Sequence, residues 1–232
     1  MDGGNDISRN CRQFWERLAA VAGRCGRNPA EIDVIAVAKT KPLADVLAAV
    51  SAGMRQIGEN KVQEAQAKYG EAKREFTLHM IGHLQSNKAK AAVELFDTIQ
   101  SVDSLKLAQA IDKEAERLGK VMPIMLEVNT SRETQKFGLA VEATSEVLGQ
   151  ALELKNVRLQ GLMTIAPFVD EESPVRGAFR ELRELLERIK SEYPTATAFN
   201  ELSMGMSDDW ELAVAEGATM IRIGRALFGE RN

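Results

Sequence analysis

Glu201-Leu-Ser-Met-Gly-Met-Ser-Asp-Asp209, with Met220-Ile-Arg-Ile-Gly-Arg-Ala-Leu-Phe-Gly229 after it, carries the same design twice. A short apolar run ends in small or hydroxyl residues and then gives way to a helical pattern, which leaves backbone N–H groups exposed at a helix start. That is a phosphate-holding device. Its counterpart near the other end of the chain is Lys39, which closes the apolar run Val34-Ile-Ala-Val-Ala38 and precedes Thr40-Lys41-Pro42. One lysine, two such turns and the arginine Arg222 point to a phosphorylated aldehyde as ligand. Outward from these segments, short β-branched runs alternate with helical patterns. Strands are expected at 33–38, 55–57, 77–81, 97–100, 122–128, 158–163, 199–202 and 219–223. A helix is expected to precede them over 7–25, with Asn28-Pro29 starting a further turn. The clearest later helix is Phe179-Arg-Glu-Leu-Arg-Glu-Leu-Leu-Glu-Arg-Ile-Lys190, where Phe179, Leu182, Leu185, Leu186 and Ile189 share one face and the charged face reads as solvated. Eight strands, each followed by a helix, fit an α/β fold of the (β/α)8 TIM-barrel type better than an open doubly wound sheet. No linker, repeat or low-complexity tract interrupts residues 1–232, so one domain is expected. Glu171-Glu172-Ser173-Pro174 reads as its most mobile loop.

Bulk properties narrow the function classes. The chain has 232 residues, 44% hydrophobic and 28% charged, enough for one large core. Lys and Arg number 30 against 34 Asp and Glu, a formal charge of -4, so no global positive field draws the chain to nucleic acid or an anionic membrane. The two cysteines, Cys11 and Cys25, give neither a disulfide framework nor a metal spacing. The N-terminus lacks a signal-peptide pattern and no apolar stretch approaches membrane-spanning length, so the expected location is cytoplasmic. His79 and His83 flank Met80-Ile81-Gly82, a strand and its exit, and so form no helical metal pair; structural roles are expected for both. Gln85-Ser-Asn-Lys88 with Lys90 reads as a solvated, capped helix start.

In a barrel every βα loop opens on one face, so the residues at the strand exits meet at one mouth. These are Lys39, Gly58-Glu-Asn60, Gly82-His83, Ser101-Val-Asp103, Asn129, Thr164, the 203–207 turn and Arg222-Ile-Gly224. Barrels commonly bind phosphate in the loops after strands seven and eight, and those two loops carry the serines and glycines here.

Ala36-Val-Ala-Lys-Thr-Lys-Pro42, Gly58-Glu-Asn-Lys-Val-Gln-Glu64, His79-Met-Ile-Gly-His-Leu-Gln-Ser-Asn-Lys88 and Leu202-Ser-Met-Gly-Met-Ser-Asp-Asp209 stand in order. With Ser101-Val-Asp103, Val128-Asn129, Lys136-Phe-Gly-Leu139 and Gly161-Leu-Met163, they resemble the pyridoxal phosphate homeostasis protein family, also called the proline synthase co-transcribed protein family. The resemblance runs from Ile7 to Arg231. It implies a lone alanine-racemase-like barrel (PLP fold type III) that binds pyridoxal 5'-phosphate (PLP) as an internal aldimine, without established turnover. It implies storage, buffering or delivery of PLP, with apo-PLP enzymes as partners and effects on vitamin B6 and amino-acid metabolism. It assigns Lys39 to the Schiff base, Arg222 to the pyridine nitrogen, and Ser203, Ser207, Gly224 and the N–H of Arg225 to the phosphate. Asn60 falls near the ring. A permanently charged donor at the pyridine nitrogen makes the ring a weaker electron sink, which discourages carbanion chemistry.

The residues also admit other roles. Asn60 and the two serines are equally good helix caps, and capping coexists with ligand contact. Arg222 has an alternative partner in Glu201. Lys41 either adds a like charge beside Lys39 or points into solvent. Many relatives carry Thr or Ser where this chain has Arg225, whose guanidinium either grips the phosphate or points into solvent. Two other functions remain in view. An amino-acid racemase needs a tyrosine base from a second domain, whereas Tyr69 and Tyr193 lie in helical contexts and the chain ends directly after the eighth helix. An imine-forming (β/α)8 enzyme acting on a phosphorylated metabolite needs an acid-base partner, for which Glu59, Asp103 and Glu127 are the candidates. The expected oligomeric state is a monomer, since no helix has an apolar face beyond what barrel packing requires.

Overall fold

The computed structural model describes residues 3–70 and 74–229; the far ends of the expected 1–232 domain, including Arg231, lie outside them. Eight parallel strands close into a barrel in sequence order: β1 (Asp33–Val37), β2 (Gln56–Glu59), β3 (Thr77–Met80), β4 (Thr98–Val102), β5 (Met122–Glu127), β6 (Val157–Met163), β7 (Glu201–Ser203) and β8 (Met220–Ile223). β8 closes on β1 through the register Asp33 with Met220 to Ala36 with Ile223. Each expected strand is present, with no limit moved by more than two residues. β4 and β8 are buried along their whole length, as parallel strands covered on both faces are.

The helices are α1 (Gly3–Arg24), α2 (Leu43–Ser51), α3 (Val62–Tyr69), α4 (Ala89–Leu95), α5 (Leu105–Arg117), α6 (Thr144–Ala151), α7 (Glu172–Glu192), α8 (Trp210–Ala215) and α9 (Arg225–Phe228). α7 buries Phe179, Leu182, Leu185, Leu186 and Ile189 as its periodicity requires, together with Val175 and Ala178. Two expectations for this region need correction. The helix begins at Glu172, inside the segment read as a loop; proline is tolerated in a first helical turn because its missing N–H has no intrahelical partner there. The exposed segment lies just before it and includes Ile165, Phe168 and Val169. Nor is the charged face of α7 merely solvated, since Arg176, Arg180 and Arg183 converge at 3.2–3.4 Å on the buried carboxylate of Glu216, at the end of α8.

α1 is the addition to the eightfold pattern. It packs on α2, α8 and α9, next to the seam where β8 meets β1. Phe14 lies 5.1 Å from the Trp210 ring, Arg17 stands over that ring and bonds Glu211 at 2.7 Å, and Asn10 donates to the Leu227 carbonyl. The short α9 is therefore braced from outside.

Inside the barrel, Ile35, Met125, Met163 and Met220 form their own apolar cluster, apart from the larger core between strands and helices. Because side chains alternate along a strand, Met220 shares its face with Arg222 and Met125 shares its face with Glu127. The lumen is thus apolar in part and polar at selected levels. Cys11 is buried and Cys25 exposed, both as free thiols. Among the described residues no helix is long and apolar enough to cross a membrane.

Candidate functional site

A cavity of about 560 Å³ opens at the strand-exit end, with Lys39, Asn60, Ser207, Arg222, Gly224 and Arg225 on its wall. Six of the seven residues singled out in the sequence therefore meet at one place. Lys39 is held by a tight turn in which the Lys41 N–H donates to Ala38 O at 3.0 Å. Thr40 sits in that turn at φ 64°, a left-handed conformation that is costly for a β-branched residue. Such strain persists only where the surroundings fix the backbone. Here Ala38 N–H donates to Gly58 O at 3.0 Å, and the Lys68 ammonium donates to Ala38 O at 2.8 Å. The Lys41 ammonium reaches Phe228 O at 2.9 Å and ties the β1 turn to the end of α9.

The phosphate-type turns are built as their sequences require. Gly205 has φ 93°, and a Cβ there would stand 2.5 Å from the Ala213 Cβ; only glycine fits. The turn closes when Asp209 accepts from the Met206 N–H. The Ser207 hydroxyl lies 3.4 Å from the Gly224 N–H, joining the β7 and β8 turns. α9 opens at Arg225, so its first N–H groups precede any intrahelical partner. The Arg225 guanidinium pairs with Asp208 across the cavity rim, so the arginine is neither solvated alone nor turned inward.

Ser203 is the residue the structure moves. It is fully buried on β7 and is not on the cavity wall; its hydroxyl accepts from Arg222 Nη1 at 2.8 Å and donates to Gln100 Oε1 at 2.7 Å. Strand alternation turns the side chain into the lumen one level below the turn, so its contact is with Arg222. Arg222 also donates to Thr164 O at 2.7 Å, and among the described residues Glu201 bonds Thr219 and not Arg222. Burial lowers its pKa to about 10, opposed by the charges of Asp209 and Glu127, and it stays a cation at neutral pH.

Asn60 lines the cavity, and its Oδ1 is buried without a hydrogen-bond partner among the described residues. Its backbone is pinned by Gly82, where a Cβ would lie 2.4 Å from Asn60 O. A side-chain cap for α3 is not formed: the cap position is Lys61, whose ammonium pairs with Glu64 at 2.8 Å and makes no cap bond to the helix. An unsatisfied buried amide oxygen costs free energy unless a ligand answers it.

The acid-base candidates divide. Glu59 is fully buried and spends Oε1 on Lys68 at 2.6 Å and Tyr69 at 2.7 Å. Asp103 faces the His83 ring at 3.2 Å, and that ring stacks on Phe137 with centroids 3.6 Å apart. Glu127 is pushed up to about 7 by burial and by the Asp103 charge, while Arg222 pulls the other way; it is not on the cavity wall. Lys68 and Tyr69 were missed as site residues. On sequence alone both are ordinary helix residues, and only the fold sets them against Glu59 and Ala38. Gln100, which accepts from the Ser203 hydroxyl, and His79, which faces Gln100, were missed as parts of the network behind Arg222 for the same reason.

The class of barrel is set by the alanine racemase N-terminal domain family, which matches residues 10–232. A protein named pyridoxal phosphate homeostasis protein from Escherichia coli K12 is 37% identical over 98% of each chain, and its namesake from Pseudomonas aeruginosa is 41% identical over 97% of this chain and 96% of that one. PipY of Synechococcus elongatus PCC7942, solved with PLP bound, superposes with a TM-score of 0.82 at 41% identity, covering 93% of this chain and 99% of that one. The chain belongs to the pyridoxal phosphate homeostasis protein family. Alanine racemase of Clostridium difficile 630 shares the fold with a TM-score of 0.71 at 14% identity, and this chain covers 57% of it.

Proposed function

We propose that this chain is a single-domain, cytoplasmic, monomeric PLP carrier that binds the cofactor reversibly at the barrel mouth and passes it to apo-PLP enzymes, without turnover of its own. The observation that carries this reading is the convergence in one cavity of Lys39, the buried Arg222 cation, the unanswered Asn60 oxygen and the two turns around Ser207 and Gly224. The donor set fits PLP. Its phosphate matches the backbone N–H groups and hydroxyl of those turns, its ring nitrogen matches a donor that stays charged, and its 3'-oxygen matches the Asn60 amide. When bound, PLP supplies an aldehyde that condenses with a primary amine and releases water. Lys39 supplies that amine, the strained Ala38–Lys41 turn orients it, and Arg222 holds the ring nitrogen unprotonated. Ser203 acts by holding Arg222.

Absence of turnover rests on the missing second base. Tyr69, on α3, is bonded to Glu59, and Tyr193 caps α7. Glu127, although poised near neutrality, is off the cavity wall. The test is PLP titration followed by absorbance, then dilution of the loaded protein into an apo-aminotransferase. Activation faster than from the same total of free PLP supports delivery, and activation no faster contradicts it. Deuterium exchange at the α-carbon of added amino acids would support a racemase-type enzyme instead.

A further inference from the structure

A guanidinium only donates hydrogen bonds, so the Arg222 contact at 2.8 Å makes the Ser203 oxygen an acceptor and sends the hydroxyl proton to Gln100 Oε1 at 2.7 Å. With Oε1 so engaged, the other end of the Gln100 amide, Nε2, faces His79 Nδ1 at 3.1 Å and is the donor. His79 Nδ1 is then the acceptor, the ring proton sits on Nε2, and Nε2–H donates to Gln56 Oε1 at 2.7 Å. His79, Gln100 and Ser203 are buried at 3%, 0% and 0% exposure. The four bonds run in one direction, away from the Arg222 charge, across β8, β7, β4, β3 and β2. Gln56, at the first residue of β2, lines a second cavity of about 220 Å³, so the chain ends at the opposite face of the barrel. Bonds that all point one way polarise one another, and a cation at their head strengthens each acceptor it faces.

We infer that Ser203, Gln100 and His79 are positioning residues for PLP, acting through Arg222: their one-way hydrogen-bond chain fixes the guanidinium at the angle the ring nitrogen requires. This rests on the PLP reading above. A residue that merely filled the lumen would need no particular tautomer and no particular amide orientation. Here one reversed donor would leave two donors or two acceptors face to face.

The test has one arm without cofactor and one with it. In the PLP-free protein, nitrogen chemical shifts of the His79 ring are expected to show Nδ1 bare and Nε2 protonated at neutral pH; the opposite tautomer overturns the chain, whatever the variants do. In the loaded protein, Gln100→Leu and His79→Leu are each expected to weaken PLP binding about tenfold and to shift its absorption maximum, as loss of support for one charged hydrogen bond requires. His79→Gln, which keeps one donor and one acceptor, is expected to restore both. Parent affinity and parent band in folded Gln100→Leu overturn the inference. Arg222→Leu separates the two levels. If it too leaves PLP binding and the band unchanged, the placement of Arg222 at the cofactor has failed, whereas sensitivity to Arg222→Leu with indifference to Gln100→Leu defeats only the positioning role.

Discussion

Asp208 and Arg225 set the charge at the cavity rim. Both residues are on the cavity wall and exposed to solvent, and they pair with each other. The arginine therefore cancels a carboxylate that would otherwise face an incoming phosphate. Exposed pairs contribute about 0–1 kcal/mol, which bounds the effect at several-fold. Asp208→Asn is expected to tighten PLP binding by about two- to fivefold by freeing the guanidinium, and Arg225→Thr to weaken it by a similar factor. Fluorescence titration at two salt concentrations checks this, and both shifts should shrink at high salt. Equal affinities at low salt would leave the pair without influence on the phosphate. The sequence could not choose between phosphate and solvent for Arg225 because its partner sits on a different loop.

At the scale of elements, Lys68 on α3 connects a helix to two strand exits at once. Its ammonium is almost buried, with bonds to Glu59 Oε1 and Ala38 O. Breaking such a pair leaves a buried charge uncompensated, so Lys68→Met is expected to cost about 3–5 kcal/mol, measured by urea unfolding. A loss below about 1 kcal/mol would show that Tyr69 alone satisfies Glu59. The strands were legible because short, mostly apolar runs alternate with helical patterns, and α7 because five apolar residues repeat at helical spacing. The start of α7 was not, since Glu-Ser-Pro serves a first helical turn as well as a loop. That Lys39, Asn60, Ser207, Arg222 and Gly224 line one cavity was legible because strand exits in a barrel share one mouth. Ser203 was misplaced by one level, because motif position does not say which way a strand side chain faces when the turn begins. The Lys68 brace and the Gln100–His79 relay were not legible at all. Their partners lie on separate strands and helices, and no local spacing encodes the meeting.

Across the whole molecule, two buried titratable groups in the lumen give stability an opposing pH dependence. Burial lowers His79 from 6.5 to about 4, with the Asp97 charge opposing, so its contribution is full above pH 6.5 and is lost as pH falls toward 4. At 1.36 kcal/mol per unit the loss is on the order of 3 kcal/mol. Glu127 is raised from 4.5 to about 7, so its contribution is present below pH 4.5 and lost as pH rises through 7. Between pH 4.5 and 6.5 the two terms largely cancel. His79→Gln removes one of them, and its stability is expected to rise on acidification from pH 7 to 4.5, whereas Glu127→Gln should become more acid-labile than the parent. Urea midpoints across that range decide it, and parallel profiles for all three proteins would contradict both assignments.

The barrel as a whole exists, on this account, to present one lysine to one phosphorylated aldehyde. The direct measurement is borohydride reduction of the PLP-treated protein, followed by peptide mass mapping, for the parent and for Lys39→Ala. A yellow band fixed by reduction onto Lys39 is expected in the parent. In Lys39→Ala the label should be absent and weaker, phosphate-dependent PLP binding should remain, because other loops build the cradle. No band in the parent, or a label spread over other lysines and undiminished in Lys39→Ala, would contradict it.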